Sequence, residues 1–305
     1  MSPVIIMLYV EPDFYSDFQC LASACRHSCC LGWEIDVDED TAQLYKELPG
    51  PLGDELREQL CLLPQPHFKM TADGRCPFLN DKGLCRLILA WGEDVLCDIC
   101  REHPRFYNDS PQRQEAGLGL CCEEAARLLL TGESPLKLIY EVEGEPEENE
   151  PELIALRRKL LDILAGTELP MEKRLESCCA LMDMPKLDFD MSYWREFYLG
   201  LERLDEAWTS ALKELRPLNG ELPGDMAHTR LLQYLIYRHF ASAENRREAV
   251  LMLQFCILSL RLISALEQSG GELMELARLY SSEIEYSDEN IARITEAISP
   301  LLFSA

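Results

Sequence analysis

Eleven of the fourteen cysteines in this 305-residue chain lie between Cys20 and Cys122, and their spacing is the feature best suited to chemistry. The first group, inside FQCLASACRHSCCLGW, is Cys20-x4-Cys25-x3-Cys29-Cys30. The second runs from Cys76 in CPFL through Cys85 to Cys97-x2-Cys100 in CDICREHPRFY, and Cys121 with Cys122 comes last. Thiolates two to four residues apart can converge on one ion without straining the backbone, as they do in zinc and iron–sulfur sites. Widely separated groups let one metal centre staple several loops and contribute folding energy. A metal centre is therefore expected, and spacing leaves iron–sulfur and zinc both open, because thiolate-rich sites suit either. His27, His67 and His103 lie near the groups and could add nitrogen ligands. Cys61, Cys178, Cys179 and Cys256 fall outside the groups and are expected to pack as small apolar residues.

Other signatures exclude more than they suggest. Cys25-x3-Cys29 starts the Cys-x3-Cys-x2-Cys pattern of radical S-adenosylmethionine chemistry, but the third position is Gly32, so the pattern fails. Neither GxxxxGK[ST] nor GxGxxG occurs, so no phosphate-cradling glycine loop is expected. Gly117-x-Gly119 before a helix is read as a turn. The run REHPRFY (101–107) could bind an anion, donate hydrogen bonds to metal-bound sulfur, or cap a helix and pair with carboxylates.

The net charge of −25 argues against binding a nucleic-acid backbone and is compatible with a cationic partner or substrate. No uninterrupted apolar stretch reaches the ~18–20 residues of a membrane span. The run 250–260 comes closest, broken by Gln254 and Ser259 and stopped by Arg261. The apolar start lacks a basic lead and a cleavage site, so a cytoplasmic location with reduced thiols is expected.

A mainly α fold is predicted, with an irregular Cys-rich metal-binding N-terminal region followed by a helical bundle. The expected divisions are a Cys-rich domain over 1–140, an acidic linker over 141–152 (EVEGEPEENEPE) and a helical domain over 153–305. Trp194, Phe197, Leu201, Leu204, Trp208, Ala211 and Leu215 recur at helical steps and predict one long helix, closed by Pro217 and Gly220. Further helices are expected over 153–164, 229–240, 246–266, 272–280 and 288–298. Upstream, short helices are expected over 40–48, 54–62 and 122–130, and WEIDV (33–37) reads as a short strand.

DFQCLASACRHSCCLGWEIDVDEDT, GRCPFLNDKGLCRLILAWGEDVLCDICREHPRFYN and CEEAARLLL together resemble the bacterial flagellin lysine-N-methylase family, over residues 13 to about 130. The resemblance implies methyl transfer from S-adenosylmethionine to lysines of flagellin. It places Cys20, Cys25, Cys29, Cys30, Cys76, Cys85, Cys97, Cys100 and Cys122 at the family's cysteine positions. The family usually reads Ser-Cys-Pro-Glu before the last helix, where this chain has Cys121-Cys122-Glu123-Glu124. Cys121 is thus outside the implied ligand set. No methyl-donor pocket or catalytic base is identifiable from the residues. A non-enzymatic metal-cluster module, in metal handling or scaffolding, is the alternative expectation.

Overall fold

The computed structural model describes residues 7–110, 113–143, 151–216 and 221–303. Strand β1 (Met7–Pro12) opens the chain, and the cysteine-rich segment follows as an excursion before the sheet resumes. One compact unit is therefore Gln19–Phe106, and the other joins Met1–Phe18 to Tyr107–Ala305. A boundary near 140 was expected instead. The difference arises because residues 107–143 supply strands that pair with β1, a long-range link that no local pattern reveals.

In the unit Gln19–Phe106, α1 (Glu39–Glu47) is capped by Asp38, whose carboxylate accepts from the Thr41 amide at 2.8 Å. Helix α2 (Gly50–Gln59) runs into β2 (Leu60–Cys61), which pairs with β3 (His67–Phe68). The segment 33–37 joins this pair by a single bridge, Asp36 to His67, so WEIDV is an extended segment rather than the expected strand. Its alternation still matters: Ile35 and Val37 point into a core with Tyr45, Leu56, Phe68, Phe78 and Leu87. Phe68 sits between Tyr45 and Phe78, with ring centroids 5.9 and 5.0 Å away. Two short helices, α3 (Arg86–Trp91) and α4 (Asp98–Glu102), complete this unit.

The other unit continues with β4 (Arg105–Ser110), β5 (Arg113–Leu118), α5 (Glu123–Leu130) and β6 (Leu138–Glu143). The sheet order is β4-β5-β1-β6, with β1 parallel to β5 and antiparallel to β6. Residues 141–143 of the expected acidic linker thus lie in β6, 151–152 cap and start the next helix, and 144–150 lie outside the described residues.

Among the described residues eight α-helices follow: α6 (Glu152–Ala165), α7 (Met171–Met182), α8 (Met191–Leu199), α9 (Glu206–Glu214), α10 (Met226–His239), α11 (Arg246–Gln268), α12 (Leu273–Tyr280) and α13 (Asp288–Leu302). The mainly α prediction holds, and the expected helices after 220 appear with slightly shifted ends. The single long helix over 194–215 does not. It is broken between α8 and α9, and Leu204 is 71% exposed. Gly200 ends α8, and the Arg203 guanidinium takes up the carbonyls of Leu199 and Leu201. Glu283 then accepts the amides of Leu204 and Asp205, and Asp205 caps α9. The polar side chains satisfy the backbone that continuous helix would have used, so the break is stable.

Helix α11 is the centre of this unit and packs against α10, α12 and α13. It is long and apolar enough to cross a membrane, but most of that length is buried within the unit. Two of its buried polar residues bond within the unit: Gln254 donates to the Pro185 carbonyl, and Ser259 bonds the Phe255 carbonyl and the Tyr280 hydroxyl. The sheet is tied to the helices by Glu115 on β5. Its carboxylate takes both arms of Arg157 from α6 and the Nε of Arg113, all three side chains being buried.

Removing one partner of a buried ion pair typically costs ~3–5 kcal/mol. Arg157→Met should therefore destabilise the protein by about 3 kcal/mol, near the low end because Arg113 still pairs with Glu115; urea unfolding measures it. A second buried pair sets the acid limit. Burial opposes ionisation of Glu285, but Arg238 and the His239 hydrogen bond outweigh it and bring the carboxyl down to about 2. Burial holds His239 below its ordinary value. In both cases the unfolded chain binds the proton first, so stability should decline as pH falls below about 6.5 and steepen between about 4.5 and 2. Glu285→Gln should flatten the lower part of that profile.

Candidate metal centre

The thiols of the Gln19–Phe106 unit are drawn together by backbone contacts between loops. The Cys76 amide donates to the Cys30 carbonyl at 2.9 Å, Leu31 bridges Arg75, and Gly32 donates to Gly74. These bonds lay the first cysteine group against the CPFL loop. A tight turn then returns the chain to Cys85: Asn80 Oδ1 accepts from the amides of Lys82 and Leu84, and Gly83 adopts φ +72°. Leu79 bridges Cys85 at the turn's base. Arg86 holds α3 to α2 through a two-pronged pair with Glu55 at 2.7 and 2.6 Å. The Asp98 amide donates to Asp38, which also caps α1, and this fixes the start of α4 where Cys97 and Cys100 sit.

The result gathers at least five of the nine implied ligands: Cys30, Cys76, Cys85, Cys97 and Cys100. Cys76 and Cys97 lie in the core itself, and the other three pack against it. Their electrostatics show the proximity. Burial pushes the Cys76 thiol up to about 12, opposed by the Phe78 amide and reinforced by Cys30, Cys85 and Cys97. Burial also raises Cys85, against the amides of Ile88 and Leu87. Cys100 is raised chiefly because it donates its proton to Cys97, and Cys97 is lowered by the same bond. Cys30 comes down to about 7, mostly through its hydrogen bond with Cys29, against burial and with help from Ser28. The Tyr45 hydroxyl is buried beside Cys97, Cys100 and Cys85, and burial pushes it well above its ordinary value.

This donor set suits a thiophilic metal. None of these thiols is in a disulfide. The amides facing Cys76, Cys85 and Cys97 are the kind that favour a thiolate. Among the described residues, no three Cys, His, Asp or Glu side chains stand in a geometry that holds an ion. The thiols are grouped without forming a coordination shell.

The remaining candidates are placed differently. Cys20 and Cys29 are exposed, and Cys20 Sγ accepts from the Ala22 amide. Cys25 donates to the His27 carbonyl at 3.2 Å. Cys122 is the N-cap residue of α5 and belongs to the helical unit. His67 has both ring nitrogens engaged, one by Glu34 and one by the Gln65 carbonyl. His103 is held neutral by burial, which brings it down to about 4, and it lies 6.4 Å from the Trp33 ring. In REHPRFY, Arg101 pairs with Asp98 and donates to the Leu96 carbonyl, so the expected pairing with a nearby carboxylate is present. Gly119 serves close approach: a Cβ there would lie 2.1 Å from the Tyr286 hydroxyl. Cys178, Cys179 and Cys256 are buried.

Comparison with known proteins adds a partial likeness. The chain is 28% identical over 160 residues to lysine-N-methylases of Salmonella choleraesuis and Salmonella typhimurium, covering 50% of this chain and 40% of each relative. It is also 28% identical over 135 residues to the flagellar biosynthetic protein FliU of Salmonella muenchen, covering 42% of this chain and 80% of that protein. The chain thus spans less than half the length of the methylases it matches. No family model and no solved structure matches.

If the gathered thiols hold a metal, Cys97→Ser and Cys100→Ser should each lower metal content measured on anaerobically purified protein. Cys178→Ala and Cys256→Ala should leave it unchanged. Equal metal in all four variants would remove the assignment.

Proposed function

We propose that this chain is a protein-lysine N-methyltransferase acting on flagellin, with S-adenosylmethionine as methyl donor. The observation that carries the reading is its likeness to two lysine-N-methylases and to FliU, each at 28% identity. Methylation of a lysine requires an unprotonated amine held in line with the sulfonium methyl group. A protein of net charge −25 draws lysine-bearing surfaces toward it, which supports the encounter.

We further propose that the cysteines hold an iron–sulfur cluster, with zinc as the alternative, in a reducing cytoplasm. Cys30, Cys76, Cys85, Cys97 and Cys100 would be the residues nearest to it, with Cys20, Cys25 and Cys29 of the same unit as further candidates. Bound there, the metal would contribute folding energy by linking loops that have little regular structure of their own. The alternative, a metal-cluster module without methyl-transfer activity, draws on the same thiols and is favoured by one observation. The gathered cysteines stand in or against a core, and a pocket of the same unit is lined by Asp36, Asp38, Glu39 and Asp98 among others, an acidic lining unsuited to an anionic cofactor.

Purified, metal-replete protein should transfer labelled methyl from S-adenosylmethionine to lysines of flagellin. Absence of transfer, together with no heat of S-adenosylmethionine binding, would favour the non-enzymatic reading. Iron and sulfide with broad absorption near ~400 nm would identify the cluster, and a colourless protein with stoichiometric zinc would identify the alternative.

A further inference from the structure

Among the described residues, strand β6 is an edge of the four-stranded sheet, neighboured by β1 alone in the strand order. Long exposed edges are normally blunted, because their unpaired amides and carbonyls are a template for another strand. Here the edge is not blunted by brevity: β6 has six residues. The register sets Tyr9 opposite Glu141 and Glu11 opposite Ile139. Directly paired residues share a face and alternate residues do too, so these four form one outward patch. Val10, one residue on, points the other way into the core.

The patch has a particular chemistry. Tyr9 and Ile139 are large and exposed, at 39% and 43%. Glu11 and Glu141 lie diagonally between them, and no cation pairs with either among the described residues. Burial first, and the charge of Glu141 second, push the Glu11 carboxyl above its usual range. An apolar wall beside two uncompensated carboxylates matches a lysine side chain, whose methylenes lie on apolar surface while the ammonium seeks anions. The unpaired edge beside it fits a partner segment in extended conformation.

We propose that Tyr9, Glu11, Ile139 and Glu141 dock a lysine of a protein partner whose extended segment pairs with the free edge of β6. The identification of that partner with flagellin rests on the function proposed above; the docking chemistry does not. The patch binds and orients the partner, and none of its residues is assigned a part in methyl transfer.

The test uses the full chain and two probes: a labelled peptide alternating lysine and threonine, and flagellin. Wild-type protein should bind the peptide by fluorescence anisotropy, with affinity that falls as salt rises. Glu11→Gln with Glu141→Gln should weaken it about tenfold, with thermal unfolding unchanged. Glu11→Lys with Glu141→Lys should reverse the preference toward a glutamate–threonine peptide. If wild-type protein ignores the lysine peptide, or both double variants keep wild-type affinity, the docking patch is overturned. Variants that self-associate while keeping that affinity also overturn it, since the carboxylates would then only guard the edge. With flagellin, the Gln variant should raise KM and leave kcat unchanged. Peptide binding that responds to the variants, without any methylation of flagellin, would overturn the proposed function and leave the docking patch standing.

Discussion

The carboxylate of Glu115 is the point on which the helical unit depends. It sits on β5, beside β1, and receives Arg157 from α6 and Arg113 from its own strand. The same Arg157 donates to the Tyr237 carbonyl of α10, and the Tyr237 hydroxyl returns to the carbonyls of Val10 and Ala116. One guanidinium and one phenol therefore lock the inner face of the sheet to two helices. A buried charge of this kind is tolerable only when its hydrogen-bonding capacity is filled, and here the three donors fill it. The consequence lies on the opposite face. With Val10 and Glu115 committed inward, alternation forces Tyr9, Glu11 and their β6 partners outward.

The cysteine-rich unit is held by a different economy. Its helices are short and its strands have two residues each, so few ladder hydrogen bonds are available. Side chains and turns supply the missing order: Asp38 serves two amides from distant segments, and Asn80 closes the turn before Cys85. The aromatic cluster of Tyr45, Phe68 and Phe78 gives this unit an apolar core that includes Cys76 and Cys97 and against which Cys30, Cys85 and Cys100 pack. Thiols collected at such a core are an unusual use of burial, since burial alone favours the neutral form. Amides aimed at Cys76, Cys85 and Cys97 work in the other direction. This competition is what a site for thiolate ligands must settle, and bound metal would settle it toward the anion.

Much of the helical half could be read from periodicity, because a buried stripe repeats on the period of the helix that carries it. Helices α6 and α13 follow that rule, burying Leu156, Leu160 and Leu164 on one and Asn290, Ile294 and Ile298 on the other, whereas α10 and α11 are buried almost all round. The break at Leu204 did not show, because it depends on Glu283, 79 residues away, accepting two amides. The sheet was hidden for a related reason. Strand β1 pairs with residues more than 100 positions later, and β6 runs into a glutamate-rich stretch whose composition resembles a linker. The cysteine groups were legible from spacing, yet spacing could not tell which thiols would meet. That selection follows from the turn at Asn80–Gly83 and the contact of residues 30–32 with 74–76.

The two features most open to chemistry ask for different partners. Five thiols packed on a small core would, if they hold a metal, suit a soft cation. The patch on β1 and β6 is exposed, shallow and charged, which favours a hard ammonium held briefly. A patch of two solvent-facing carboxylates cannot provide tight binding, so any affinity it lends must be combined with backbone pairing along the edge. That combination is selective in a useful way: the edge accepts any extended segment, while the carboxylates admit only one that places a lysine at the matching position.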